Sequence, residues 1–134
     1  MKSETESSRP ARPLNVLIVD DSATMRLVIR RVAKLSEAPI GSLFEAANGR
    51  EALRILEGHQ IDALFTDIAM PVMSGTELLQ EIAKRDKWNN LLRVIISSDG
   101  SEARRAAVAD LNVRMFVEKP LRPEVLRDVL SVLA

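Results

Sequence analysis

Residues 63–75 read ALFTDIAMPVMSG, an apolar run that meets a single carboxylate, Asp67, and continues into a loop marked by Pro71 and Gly75. An acid that stands where a buried strand leaves a sheet lies at the rim of a crevice and stays partly exposed. Open α/β sheets bind their ligands at this carboxyl edge of the strands. The stretch therefore predicts that Asp67 is the working residue and that other strand ends complete a site around it.

The remainder of the chain repeats the alternation of a short apolar run and a helical pattern. Apolar runs predict further strands at residues 14–19, 43–47, 91–96 and 113–117. Apolar residues at helical spacing predict helices after Ser22, through residues 52–58, at 75–84, at 102–109 and after Pro123. Five strand–helix units predict an α/β fold of the doubly wound (βα)5 type, in which a parallel sheet carries helices on both faces.

The composition restricts the class of protein. A chain of 134 residues suits one domain, and it has no cysteine for a disulfide or a thiolate metal site. Lys and Arg number 19 and Asp and Glu number 19, so no net field favours nucleic acid or an anionic membrane. Residues 1–13 lack the apolar core of a secretory signal and are predicted to be a disordered tail before a domain at 14–134. We expect a cytoplasmic protein.

Polar side chains follow four of the five predicted strands. Asp20 and Asp21 end the first strand, Asp67 the third, Ser97 the fourth and Lys119 the fifth. Clustered carboxylates need a cation between them, and Mg2+ prefers such oxygen ligands together with waters and a phosphate. An ammonium and a hydroxyl donor suit phosphoryl oxygens. The set predicts phosphoryl transfer onto the carboxylate of Asp67 itself, a chemistry dominated by positioning and charge neutralisation.

Each member of this set also has a plainer interpretation. Asp67 taken alone could be an ordinary solvated acid after a strand. Asp20 and Asp21 could serve mainly to stabilise the positive N-terminal end of the following helix. Ser97 could be a strand-end cap while Ser98 takes its role, because side chains alternate along a strand and only one of the two faces the site.

Four segments in this order resemble the receiver domain of response regulators. They are VDDSATMR at 19–26, DIAMPVMSG at 67–75, ISS at 96–98 and VEKP at 117–120. The resemblance extends from about Leu14 to Leu133, and the first segment is most similar to stand-alone receivers of the chemotaxis CheY type. It implies a flavodoxin-like fold with a five-stranded parallel sheet in the order 2-1-3-4-5.

The resemblance also implies roles for individual residues. Asp67 would accept a phosphoryl group from a sensor histidine kinase. Asp21, Asp67 and the backbone carbonyl of Ala69 would bind Mg2+ (or Mn2+) directly, with Asp20 helping through water. Lys119 would assist catalysis, and its peptide bond to the following proline is often cis in this family.

Further roles concern the response to phosphorylation. By the same resemblance, Ser97 would bond a phosphoryl oxygen after transfer, and Phe116 would turn inward as the loop after the fourth strand moves. Ala69 and Asp99 stand two residues after Asp67 and Ser97, respectively. These two side chains depart from the commonest pattern, and we expect them to set the rate of dephosphorylation.

The leading functional hypothesis is a single-domain response regulator, an acceptor that catalyses only its own phosphorylation and dephosphorylation. A downstream partner protein would dock on the last helix, the last strand and the fourth helix. Alternatives are a phosphorelay intermediate that passes the group to a histidine phosphotransfer protein, an α/β phosphatase-like enzyme, and a scaffolding pseudo-receiver. A phosphatase with an Asp nucleophile would need a second acid at position 69, where alanine stands, and the P-loop pattern is absent.

Overall fold

A computed structural model describes residues 13–133. The disordered tail predicted at residues 1–13 therefore lies outside the described residues, apart from Pro13. The strands are β1 (Leu14–Val19), β2 (Ile40–Ala46), β3 (Ala63–Thr66), β4 (Leu92–Ser97) and β5 (Met115–Glu118). The helices are α1 (Ala23–Leu35), α2 (Gly49–Gly58), α3 (Gly75–Ala83), α4 (Glu102–Ala107) and α5 (Pro123–Leu130), with short 3-10 turns at Asp86–Trp88 and Ser131–Leu133.

The five strands form one parallel sheet in the order β2-β1-β3-β4-β5. The predicted fold class and strand order are confirmed. The strand order reverses at β1, which lies between β2 and β3, and doubly wound sheets bind ligands beside such a switch point. Val19 pairs with Thr66 and Ser97 pairs with Glu118, so the strands end at the same edge of the sheet. The residues that follow them are therefore brought together.

Side-chain alternation along the strands divides the core into two layers. One face of the sheet packs against α1 and α5, and its largest members are Phe65, Ile96, Leu126 and Leu130. The other face packs against α2 and α3, and its members include Leu17, Leu64, Leu79 and Ile95. Strands β1, β3 and β4 are apolar along nearly their whole length because helices cover both of their faces. The two core layers thus hold the strands whose carboxyl ends form the edge that carries the acids.

Three helices next to the site edge begin at serine caps, which are Ser22 for α1, Ser74 for α3 and Ser101 for α4. The Ser22 Oγ accepts a hydrogen bond from the Met25 amide at 3.1 Å and starts α1, as predicted. Ser74 and Glu77 form a reciprocal capping box at the start of α3. These caps fix where each helix leaves its loop, and so they hold the loops that carry the strand-end acids.

Several predicted boundaries were wrong. β2 begins at Ile40 rather than residue 43, because pairing with β1 already starts at Leu14. β5 covers residues 115–118 rather than 113–117, since Glu118 still pairs with Ser97. α4 ends at residue 107 rather than 109, and none of its residues is buried, so little tertiary packing extends it. Within residues 13–133, no helix has the length and apolar character needed to span a bilayer.

Candidate functional site

Three acids meet at the carboxyl edge of β1 and β3. One carboxylate oxygen from each of Asp20, Asp21 and Asp67 lies within 4.8 Å of the other two. Asp20 is buried, Asp67 is half-buried and Asp21 is exposed. The cluster therefore opens to solvent on one side and is closed by the protein on the other.

A lysine from the far end of the chain completes the cluster. The Lys119 Nζ lies 3.0 Å from Asp20 Oδ2 and 3.0 Å from Asp67 Oδ2. Its backbone amide donates to the Ser97 carbonyl at 2.9 Å, and its peptide bond to Pro120 is cis. Burial by itself lowers the pKa of Lys119, but the hydrogen bonds that its ammonium donates to Asp20 and Asp67 outweigh this effect, and the pKa of Lys119 is raised. The ammonium therefore stays charged at neutral pH, and the formal charges of three carboxylates and one ammonium sum to two negative charges.

The loop after β3 holds the Asp67 carboxylate in place. The Ile68 amide donates to Asp67 Oδ1 at 2.7 Å, while the Asp67 amide donates to the Val19 carbonyl at 2.9 Å. The Gly75 amide closes the loop by donating to the Ile68 carbonyl at 2.8 Å. A Cβ at position 75 would lie 1.9 Å from the Asp67 carbonyl oxygen. Only glycine permits this close approach, which explains why Gly75 ends the diagnostic stretch.

The structure separates the two serines at the end of β4. Ser97 is buried, whereas Ser98 is exposed. The Ser97 Oγ accepts a hydrogen bond from the Asp99 amide at 3.1 Å. Ser97 thus lies at the same sheet edge as the acids, although its hydroxyl is engaged by its own loop in this state.

The two residues expected to set the rate of dephosphorylation lie outside the acid cluster. Ala69 is exposed in the loop after β3. The Asp99 carboxylate accepts from the Ser101 amide at 3.0 Å and from Arg104 Nε at 3.2 Å. The Ser101 bonds and then the Arg104 bond hold the pKa of Asp99 below its usual range. Asp99 is therefore an ionised group turned towards α4.

Phe116 lies beneath the guanidinium of Arg105, a residue of α4. The guanidinium carbon of Arg105 is 4.5 Å from the centroid of the half-buried Phe116 ring. Arg105 Nε also donates to the Gly100 carbonyl at 3.0 Å. The aromatic side chain and the loop after β4 are therefore joined by one residue of α4. No periodicity in the sequence indicates this contact.

A second residue that the sequence did not single out touches the acid cluster directly. Arg26 Nη1 donates to the backbone carbonyl of Asp20 at 2.6 Å. Arg26 belongs to the VDDSATMR segment, one helical turn after the Ser22 cap. Its position in that segment is the signal that could have identified it.

The chemistry of the donor set fits a hard divalent cation. All available ligand atoms are oxygens, and the two surplus negative charges match the charge of one Mg2+ ion. Asp20 is almost fully buried, and within residues 13–133 it shares the single ammonium of Lys119 with Asp67. The acid cluster therefore still attracts a cation after Lys119 is counted. The exposed Asp21 leaves an approach from solvent.

The fold and the site together define a class of α/β domains that carry an acid cluster and a lysine at the carboxyl edge of a parallel sheet. The family model of the response regulator receiver domain matches residues 16–131. The chain belongs to this family. Members of this family are signalling proteins rather than classical enzymes, and they use Mg2+ at an acidic pocket. This chain has a cluster of three acids, Asp20, Asp21 and Asp67, at the carboxyl edge of its sheet.

Stand-alone chemotaxis proteins are among the similar proteins. A chemotaxis protein CheY homolog of Campylobacter jejuni is 30% identical over 119 residues, which cover 88% of this chain and 90% of that protein. The chemotaxis protein CheY of Thermotoga maritima is 32% identical over 116 residues, covering 87% and 93%. The predicted resemblance to a stand-alone CheY-like receiver domain is thus confirmed.

Solved structures show the same architecture. A chain of the CheX-CheY-BeF3-Mg complex from Borrelia burgdorferi has a TM-score of 0.78 at 30% identity, covering 98% of this chain and 95% of that chain. The chemotaxis protein CheY4 of Vibrio cholerae has a TM-score of 0.79 at 24% identity, covering 91% and 99%, and that similarity shows the fold.

Proposed function

We propose that this chain is a phosphorylation switch in which Asp67 accepts a phosphoryl group from a sensor histidine kinase in a Mg2+-dependent reaction. The observation that carries the proposal is the placement of Lys119 Nζ at 3.0 Å from both Asp20 and Asp67, inside a cluster of three acids. An ordinary solvated acid would not share a half-buried ammonium with a second, buried carboxylate. The proposal includes a receiver unit at residues 14–134 and the cytoplasmic location expected from the sequence.

The transfer uses groups that already surround the Asp67 carboxylate. One Asp67 oxygen forms the new O–P bond, the N–P bond to the donor histidine breaks, and the departing imidazole nitrogen takes up a proton. The Ile68 amide and the Lys119 ammonium fix the carboxylate before attack, because they bond Oδ1 and Oδ2, respectively. Lys119 then bonds the phosphoryl group. Asp21, Asp67 and the Ala69 carbonyl, with help from Asp20, would hold Mg2+, and the ion would supply charge neutralisation for the phosphoryl oxygens.

The signal would follow as a shift between two arrangements of the β4–α4 loop. The new phosphoryl group adds negative charge and acceptor oxygens, which favour the arrangement in which Ser97 donates to it. Phe116 would turn inward in the same arrangement. α4 is suited to this movement because it buries none of its residues. If the phosphoryl group bonds one loop arrangement more favourably than the other by about 5.5 kcal/mol, the favoured arrangement changes from about 1% to about 99% of the molecules.

The output surface in this proposal consists of α4, β5 and α5. A cavity of about 180 Å3 lies between α4 and β5, and Met115 is 41% exposed at its rim. Phe116 and Arg105 both line this cavity. A change at Phe116 would therefore alter the surface that a downstream partner protein contacts, while Ala69 and Asp99 would set how long the phosphorylated state lasts.

The decisive experiment is phosphorylation with a small-molecule donor, such as acetyl phosphate, in the presence of Mg2+. We expect the intact mass of the native protein to show a single phosphoryl addition that hydroxylamine removes, as for an acyl phosphate. Asp67→Asn should show none. Asp86→Asn is the matched control, since this exposed acid lies in the 3-10 turn before β4 and outside the acid cluster, and it should still be phosphorylated. Undiminished labelling of Asp67→Asn would overturn the assignment.

A further inference from the structure

Every polar atom of Asp20 has a partner. Its amide donates to the Ala46 carbonyl at 3.1 Å, and its Oδ1 accepts from the Ser22 amide at 2.9 Å. Its Oδ2 accepts from Lys119, and its backbone carbonyl accepts from Arg26 Nη1 at 2.6 Å. Asp20 is 2% exposed. Hydrogen bonds thus fix all four polar atoms of Asp20, and Arg26 supplies one of them from the body of α1.

Arg26 is itself held by an acid of the edge strand. Arg26 Nε donates to Glu45 Oε1 at 2.9 Å. The other oxygen of Glu45 accepts from Arg30 Nε and Nη2 at 2.9 and 2.6 Å. The Arg30 bond, opposed by burial and assisted by Arg26, lowers the pKa of Glu45. Glu45 therefore stays ionised at neutral pH between two arginines of successive helical turns.

The network connects the edge of the sheet with the acid cluster. Glu45 immediately precedes Ala46, whose carbonyl receives the Asp20 amide. Strand β2 thus reaches Asp20 by two routes, one through its backbone and one through Glu45 and Arg26. Partners behind a first layer of metal ligands commonly determine how well those ligands are oriented.

We propose that Arg26, anchored by Glu45 and Arg30, is a positioning residue that sets the affinity of the acid cluster for Mg2+ by fixing Asp20. The inference rests on the proposed function only in taking Mg2+ as the ion at this cluster. It assigns a role in metal binding to the ion pairs between α1 and β2, which join Arg26 and Arg30 to Glu45.

Charge and positioning predict opposite effects for the same substitution. Arg26 carries a positive charge next to the acids, and this charge repels a divalent cation. If Arg26 acted only through its charge, Arg26→Gln would tighten Mg2+ binding. If it positions Asp20, the same substitution weakens binding, because the freed carbonyl and the released Glu45 allow Asp20 to move.

The experiment is a Mg2+ titration of the phosphate-free protein by isothermal calorimetry or by amide chemical shifts. For Arg26→Gln we expect the dissociation constant to rise roughly tenfold, at the lower end of the loss seen for outer partners of metal ligands. Arg26→Lys, which keeps the charge and one donor, should recover part of the affinity. Arg31→Gln is the matched control: Arg31 is exposed on the same helix and makes no ion pair within residues 13–133, so its removal should leave the constant within about twofold.

A second variant keeps the test decisive if Arg26→Gln does not fold. Arg30 is 45% exposed and contacts the cluster only through Glu45. Positioning predicts weaker Mg2+ binding for Arg30→Gln, whereas charge alone predicts tighter binding. Unchanged or tighter binding by Arg26→Gln, or by Arg30→Gln where Arg26→Gln does not fold, with normal binding by the native protein, would overturn the role of the network. Failure of the native protein to bind Mg2+ would instead overturn the proposed function.

Discussion

Replacement of Lys119 by methionine tests the electrostatic centre of the site. The substitution keeps most of the side-chain volume and removes an ammonium that lies 3.0 Å from two carboxylates. The Asp20 and Asp67 side chains are only 3% and 13% exposed, so water replaces little of the lost interaction. Removing one partner of a buried ion pair costs about 3–5 kcal/mol. Because the cluster is open on the Asp21 side, we expect Lys119→Met to lose about 3 kcal/mol of unfolding free energy.

The pH dependence of this loss follows from the pKa of Lys119. Its pKa is raised in the folded protein, so the group stabilises the fold fully below the unfolded value of about 10.4. That stabilisation disappears as the pH rises through the folded pKa. The difference between native protein and variant should therefore stay constant from neutral pH to about pH 10 and shrink above it.

Mg2+ should raise the free energy of unfolding of Lys119→Met more than that of the native protein. Without Lys119 the cluster carries three uncompensated negative charges instead of two, and a divalent cation gains more by binding there. Urea denaturation in EDTA and in saturating Mg2+ measures both effects. Lys84→Met is the matched control, because Lys84 lies 3.0 Å from Glu81 but these side chains are 68% and 33% exposed. Its loss should stay below about 1 kcal/mol.

Two results would refute this reasoning. A loss for Lys119→Met no larger than that for Lys84→Met would show that the ammonium is solvated rather than shared by buried carboxylates. A loss that is the same in EDTA and in Mg2+ would show that the acids do not hold the cation.

Two further predictions concern backbone approach and a buried charge. Gly75→Ala should lower the free energy of unfolding in urea by about 3 kcal/mol, because its Cβ would lie 1.9 Å from the Asp67 carbonyl oxygen. Gly58→Ala is the control and should not lose stability, because no atom lies within 4 Å of its Cβ position. Equal stabilities of the two variants would contradict the tight loop. Arg93 is 3% exposed, its Nε has no hydrogen-bond partner within residues 13–133, and burial lowers its pKa. Because this buried charge is poorly compensated, Arg93→Met should raise the free energy of unfolding by about 1 kcal/mol, although it loses the hydrogen bond to the Trp88 carbonyl. A destabilised variant would contradict this prediction.

The strand ends could be predicted from the sequence because they obey a simple physical rule. A buried parallel strand must be apolar, so the first polar residue after it marks where the chain reaches solvent. Asp20 and Asp67 directly follow β1 and β3, Lys119 directly follows Glu118 at the end of β5, and parallel pairing brings all three to one edge. The acid cluster was therefore predictable before any distance was known.

The arginine contacts were not predictable by this route. Arg26 and Arg105 lie on helices where a charged residue usually faces water, and both instead contact groups from distant strands. Their partners depend on the register of β2 and on how α4 lies over β5. These are tertiary relations, and β2 and α4 are also elements whose predicted boundaries were wrong.

The bond between Lys119 and Asp20 spans 99 positions of the chain. A nascent polypeptide emerges with its acids first and receives their counter-charge only when the fifth strand has been synthesised and has docked. Until then the carboxylates repel one another, and the incomplete sheet lacks the ion pairs of Lys119 with Asp20 and Asp67. A chain that ends before β5 therefore lacks the ammonium that Asp20 and Asp67 share, and its clustered carboxylates keep their full mutual repulsion.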